Sequence, residues 1–264
     1  MKPFRAIVLG AVQGLTEFLP VSSTAHLNLA QRLLGWQSPG MVLDTSLHLG
    51  TLLATGAWLV DQEQQQPILS LPLLAKVALA TLPAGLAGLL LEGWIERHLR
   101  RPELTASMLI LGAGLLWLAE RQGRHSSSLA ELSWSQAVGI GLAQALALIP
   151  GLSRSGATMS AGLAAGLQRP DAVRFSYLLS VPVVAASGLF KLKDLARHPH
   201  SLIGPLLWGG LSAAVFGFVT LEWLLQHVRH HSLKPFVLHR LLLGGLILAS
   251  HNLAAPAKNL PATR

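Results

Sequence analysis

Two groups of polar residues set into otherwise apolar sequence hold the side chains able to do chemistry. The first runs Gln13-Gly-Leu-Thr-Glu17-Phe-Leu-Pro20-Val-Ser22-Ser23-Thr24-Ala-His26 and supplies an amide, a carboxylate, hydroxyls and an imidazole. The second runs Gln144-Ala-Leu-Ala-Leu-Ile-Pro150-Gly-Leu-Ser153-Arg154-Ser155-Gly156-Ala-Thr158 and sets an arginine among hydroxyls. Gln13 and Glu17 are four apart and share a helix face. Pro20 ends or kinks that helix, and Ser22 or Ser23 caps the next, with His26 about one turn on. Glu17, Ser23 and His26 are therefore expected to converge on one cavity, where metal binding, nucleophilic attack and proton transfer are all available. In the second group Pro150-Gly151 stops a helix and Ser155-Gly156 opens another, whose N-terminal amides favour an anion. Arg154 adds a planar fork suited to phosphate oxygens, and Ser153, Ser155 and Thr158 add hydroxyl donors. The chemistry served is recognition of a phosphate or diphosphate.

Such groups are expensive in the company this chain keeps. Of 264 residues, 51% are hydrophobic and only 12% charged, against about 25% charged in an ordinary soluble domain. Apolar stretches at 41–60, 71–92, 103–120, 172–191, 202–226 and 235–251 approach or reach the roughly 17–25 residues a spanning helix needs. Two short segments, 4–19 and 22–34, flank Pro20, and two more, 134–149 and 156–168, flank Pro150-Gly151. A polar loop, 121–133, separates the two series. The expected fold is an all-α polytopic membrane protein forming one domain over 1–264. It has about six transmembrane helices plus two re-entrant helix pairs, in two inverted-topology repeats, about 1–120 and 134–251. Setting Pro20 on Pro150 aligns Ser23 with Ser153. Broken helices at membrane depth are tolerated only where protein or a wet cavity satisfies the freed backbone. Both breaks coincide with the polar groups.

The net charge of +8 does not indicate nucleic acid, because the cations fall in short connections rather than on one face. Arg229, Lys234 and Arg240 are grouped with the cations of one membrane side, and His198, His200, His227, His230 and His231 with loops and span ends. With no cysteine, disulfide and thiolate chemistry are excluded.

The strings VQGLTEFLPVSSTAH and PGLSRSGAT closely resemble the two signature motifs of the undecaprenyl-diphosphatase family, the bacitracin-resistance proteins of bacterial membranes. LDTSLHLGT at 43–51 and FSYLLSVP at 175–182 extend the resemblance along the chain. It implies a multi-pass protein of the bacterial inner membrane that removes the terminal phosphate of an isoprenyl diphosphate lipid, aided by a divalent cation, Mg2+ or Ca2+. Matched residue by residue, Glu17 would hold the metal, Ser23 and His26 would be nucleophile and acid/base, and Arg154 would clamp the diphosphate. Ser153 and Thr158 match phosphate-binding hydroxyls, with Ser22 and Ser155 beside them. Many members carry glutamate where this chain has Gln13, so Gln13 is assigned to orienting metal, water or substrate.

The nucleophile is open between Ser23, His26 and an activated water. The rival reading is a transporter or lipid flippase, since inverted repeats with broken helices also build alternating-access machines. A Ser23/His26 pair argues for the enzyme. Beside these, Ser22 and Thr24 read as caps and packing hydroxyls, and Asp44 and His48 as either cavity-facing or structural. Gly10/Gly14 and Gly162/Gly166 read as close helix packing. Membrane lipid is the expected surrounding partner, and a homodimer is an open alternative to a monomer.

Overall fold

The computed structural model describes residues 2–36, 41–99, 101–195 and 203–254, so Arg197, His198, His200, Lys258 and Arg264 lie outside the described residues. The described chain is helical. A short pair, α1 (Pro3–Glu17) and α2 (Ser23–Leu33), precedes three long helices, α3 (Met41–Gln65), α4 (Leu71–His98) and α5 (Pro102–Gln122). A second short pair, α6 (Trp134–Leu146) and α7 (Arg154–Ala164), precedes α8 (Arg169–Leu195), α9 (Ile203–His230) and α10 (Lys234–Ala254). Between the series, Ser133 caps α6 by accepting from the Gln136 amide, while the Gln136 side chain accepts from the Ser133 amide. That reciprocal box satisfies two donors that a helix start leaves open.

Three of the described helices are long and apolar enough to cross a membrane: Leu71–Leu91, Pro102–Gln122 and Gly204–His230. Helices α3, α8 and α10 match them in length at 25, 27 and 21 residues, and α3 and α8 are more polar. Much of that polarity is turned inward: Thr45, Thr51, Thr55 and Gln62 on α3, Ser176 and Ser180 on α8 and Arg240 on α10 are all buried. Hydropathy averages the faces of a helix, so an inward polar stripe lowers the mean while leaving the outer face apolar. The outside carries exposed leucines such as Leu82, Leu86, Leu89 and Leu90 on α4 and Leu238 and Leu242 on α10, an apolar surface far beyond what water tolerates.

Short helices pack on the other series. Helix α1 lies along α9 and α6 along α4, while α3 meets α8 and α5 meets α10. Close approach comes from small residues. A methyl added at Gly10 would collide with the Gly209 carbonyl, and one at Gly14 with Ala213 and Gly217. Gly141 on α6 meets the Ala80 backbone in the same way. Gly162 packs on Ala172, whereas Gly166 adopts a left-handed φ of +96° that ends α7 and turns the chain toward α8. The expected packing role therefore holds for three of those four glycines, and the fourth is a turn residue.

One ion pair closes the bundle at the far ends of α5 and α8. Glu120 accepts three bonds from Arg169, at 2.9 and 3.1 Å from Nε and 2.8 Å from Nη2, and a fourth from the Leu233 amide at 2.9 Å. Its carboxylate thus fastens α5, α8 and the approach to α10. Glu120→Ala should lower stability by about 2 kcal/mol, less than a fully buried pair because water reaches part of the arginine. Thermal unfolding in detergent measures it.

Candidate active site

The two breaks meet inside the bundle. Each short pair reverses through a serine with a left-handed φ, Ser22 at 72° and Ser153 at 70°, a conformation rare for non-glycine residues and characteristic of over-determined functional turns. These serines, not the prolines, are the matching points. Aligning them corrects the expected register by one residue: Ser22 pairs with Ser153, Gln13 with Gln144, and Gly10 with Gly141. The prolines stop helices from slightly different places, because Gly151 takes a φ of +100° and packs its backbone against Thr105, a step with no counterpart at Pro20.

At the junction the Glu17 carboxylate gathers three donors from both breaks. Ser23 Oγ donates to Oε2 at 2.6 Å, Gln13 Nε2 donates to Oε2 at 3.1 Å, and Arg154 Nη2 donates to Oε1 at 3.0 Å. His48 of α3 lies within electrostatic reach. Glu17 is 8% exposed and Gln13 fully buried, so these bonds form where an unmade one is costly. Two atoms of the cluster still lack a protein partner: Gln13 Oε1 and Arg154 Nη1 are both buried and unbonded among the described residues. One is an acceptor beside a carboxylate and the other a cationic donor. Together they present complementary vacancies, for a cation and for an anionic oxygen.

The cluster opens into a cavity of about 1440 Å³ lined by Gln13, Glu17, Ser22, Ser23, Ser153 and Arg154 at its base. Its walls extend past Asp44 and His48 to Trp36, Ile95, Arg101 and Ser250, toward the ends of α2, α4 and α10. Asp44 and His48 are thus cavity residues. His48 donates through Nδ1 to the Asp44 carbonyl at 2.7 Å, which leaves Nε2 as the basic nitrogen of the neutral ring.

Other expected site residues point elsewhere. His26 does not turn to Glu17: its Nδ1 bonds the Ser22 carbonyl at 2.8 Å and its Nε2 bonds His239 Nε2 at 2.8 Å, the rings stacked at 5.0 Å. A carbonyl only accepts, so neutral His26 carries its proton on Nδ1 and its Nε2 accepts a hydrogen bond from His239 Nε2–H. Ser155 donates to the Leu19 carbonyl at 2.8 Å and lies 3.2 Å from Ser153 Oγ, which in turn caps the Gly156 amide. Ser155 therefore stitches the second break to the first. Thr158 bonds Ser176 of α8 at 2.7 Å and the Arg154 carbonyl at 2.9 Å, facing the interior behind the site. The cavity receives Gln13, Glu17, Ser22, Ser23, Ser153 and Arg154; Ser155, Thr158 and His26 support it from outside.

Two side chains at the junction escaped the sequence reading. His239 and Arg240 are an ionisable pair within the apolar run of α10, a signal that marks function at membrane depth. Arg240 is fully buried, not a loop cation. Among the described residues no three His, Asp or Glu side chains gather as a metal-binding group.

The family model for bacitracin resistance protein BacA matches residues 6–246. A protein of Alcanivorax borkumensis named undecaprenyl-diphosphatase is 44% identical over 260 residues, 93% of this chain and 97% of the relative. Proteins of the same name from Gemmatimonas aurantiaca and Moorella thermoacetica are 41% and 42% identical, covering 95% and 94% of this chain and 98% of each relative. On that coverage the chain belongs to the bacitracin resistance protein BacA family.

Proposed function

We propose that this chain is an undecaprenyl-diphosphate phosphatase of the bacterial inner membrane, converting undecaprenyl diphosphate to undecaprenyl phosphate and inorganic phosphate and so recycling the carrier for cell-wall synthesis. The observation that carries the reading is the Glu17 carboxylate, which accepts a hydrogen bond from the Ser23 hydroxyl and faces Arg154 across the two breaks. A transporter needs an anion site but no hydroxyl held at 2.6 Å from a carboxylate.

In this reaction the diphosphate enters the cavity and its oxygens accept from Arg154 Nη1. Ser23 Oγ attacks the terminal phosphorus as its proton passes to Glu17. The bridging P–O bond breaks and undecaprenyl phosphate leaves with the electron pair. Glu17 gives that proton up to the departing monophosphate. Water then attacks the Ser23 phosphoester, Glu17 takes the water's proton and returns it to Ser23 Oγ as the serine P–O bond breaks, and inorganic phosphate departs. Proton transfer thus belongs to Glu17. His26 sets the Ser22 turn through its bond to the carbonyl.

A divalent cation, Mg2+ or Ca2+, fits the donor set. Glu17 and Gln13 Oε1, the orphaned acceptor beside it, are hard oxygen ligands, and such ions take one or two protein carboxylates plus substrate phosphate oxygens. When bound, it neutralises phosphate charge as the bridging bond breaks. Gln13→Glu should then lower the cation concentration giving half-maximal activity by about tenfold, read from titrations of the chelator-treated protein. An unchanged midpoint would remove Gln13 from the cation site.

The exchange of partners between the series, α1 on α9 and α6 on α4, supports two inverted repeats with six spanning helices and the short pairs re-entrant. The isoprenyl chain would lie among the apolar cavity walls. Phosphate release from undecaprenyl diphosphate by purified protein in detergent, where no gradient exists, tests the function. Release with Mg2+ or Ca2+ is expected, and none with either would leave the transporter reading standing.

A further inference from the structure

Arg240 is the one arginine among the described residues that is fully buried, and its guanidinium reaches only backbone oxygens. Nη2 donates to the Leu152 carbonyl at 2.7 Å, Nε to the Leu109 carbonyl at 3.2 Å and Nη1 to the Pro20 carbonyl at 3.4 Å. Leu152 immediately precedes the Ser153 turn, and Pro20 lies two residues before the Ser22 turn. Leu109 belongs to α5. One planar group therefore holds both helix breaks and the helix behind them.

The fold makes room for this group. A methyl at Gly112 would collide with Nη2, and one at Gly156 would meet Nη1, so a glycine on α5 and a glycine on α7 frame the guanidinium from two sides. No carboxylate pairs with Arg240 among the described residues. Carbonyls released where helices break are what lipid cannot satisfy. Arginine satisfies two of them, at Pro20 and Leu152, and an α5 carbonyl at the same time because its donors leave one plane in fixed directions; a lysine ammonium cannot span three such oxygens in the same way.

We infer that Arg240 is a positioning residue for the phosphatase reaction, fixing the register in which Ser23 and Glu17 of the first break meet Arg154 of the second. The inference rests on the proposed phosphatase reading. Reacting groups from two breaks must align to a fraction of an ångström for in-line attack, and small misplacement costs rate far more than binding. The substrate is gripped by Arg154 and by its lipid chain, neither of which Arg240 touches. Its loss should consequently appear in kcat.

Two variants test this. Arg240→Lys keeps the cation and most of the volume but removes the fork. Gly112→Ala keeps Arg240 and improves the α5 sequence for helix, yet drives a methyl against Nη2. Each is compared with wild type for kcat, KM and thermal midpoint in detergent. We expect kcat to fall about tenfold or more in both, with KM within about threefold and Gly112→Ala melting near wild type. Wild-type kcat in Gly112→Ala would overturn the inference even if Arg240→Lys fails to fold. A rise in KM at unchanged kcat in either variant would overturn it too, by making the role one of binding. Inactive wild-type protein would instead defeat the phosphatase reading itself.

Discussion

Arg154→Ala should abolish nearly all turnover, lowering kcat/KM by about 10³-fold or more, in line with removing a charged donor from a developing oxyanion. The arginine has two duties at opposite edges. Nη2 faces Glu17 at 3.0 Å and Nη1 has no protein partner among the described residues, so truncation removes the proposed phosphate donor and frees the carboxylate together. Arg154→Lys should recover little, because one ammonium cannot bond Glu17 and a phosphate oxygen from the same position. The side chain is 16% exposed, so loss of the ion pair itself is only partly screened, and the thermal midpoint should be recorded beside the kinetics. A folded Arg154→Ala protein with near wild-type kcat/KM would take the phosphate clamp away from this residue.

Glu17→Gln should be as damaging by a different route. The amide preserves shape but cannot take the Ser23 proton, and it is a weaker cation ligand. General-base removal alone costs about 10²–10⁴-fold in rate. Because Gln13 is an amide, no second carboxylate stands one turn away to substitute. Glu17→Gln should therefore lower kcat by about 10³-fold with smaller change in KM, since Arg154 remains to hold the diphosphate. Adding Gln13→Glu should restore part of the rate. Failure of Glu17→Gln to slow turnover would break the proposed link between carboxylate and hydroxyl.

The positions of the breaks were legible in the sequence because proline, glycine and serine in apolar surroundings admit few other structures. The convergence of Glu17 and Ser23 is legible too, since both lie about a turn from the same break, whereas the Glu17–Arg154 ion pair is not, because the arginine reads as a phosphate clamp. What spacing could not supply was the neighbour on each face. Ser155 and Thr158 look like cradle hydroxyls from their distance to Arg154, but helix α7 turns them toward Leu19 and Ser176. His26 sits about a turn from Ser23, and α10, remote in sequence, provides His239 to draw it away. Alignment on the prolines is one residue off, because the backbone is matched at the left-handed serines Ser22 and Ser153. Arg240 reads in the sequence as a loop cation because an isolated charge is costly in lipid. The carbonyls that offset that cost come from Pro20, Leu109 and Leu152, which no local pattern connects.

In the proposed reaction Glu17 and Arg154, joined across two helix breaks, make Ser23 the nucleophile of a lipid-diphosphate phosphatase. That role of Ser23 is tested most directly by mixing excess purified protein with undecaprenyl diphosphate radiolabelled at the terminal phosphate, quenching in acid and mapping the label. Transient label is expected on the peptide containing Ser23, decaying as free phosphate accumulates, with no labelled peptide in Ser23→Ala. Free phosphate formed with the protein unlabelled at every time point, and Ser23→Ala turning over at the wild-type rate, would contradict it.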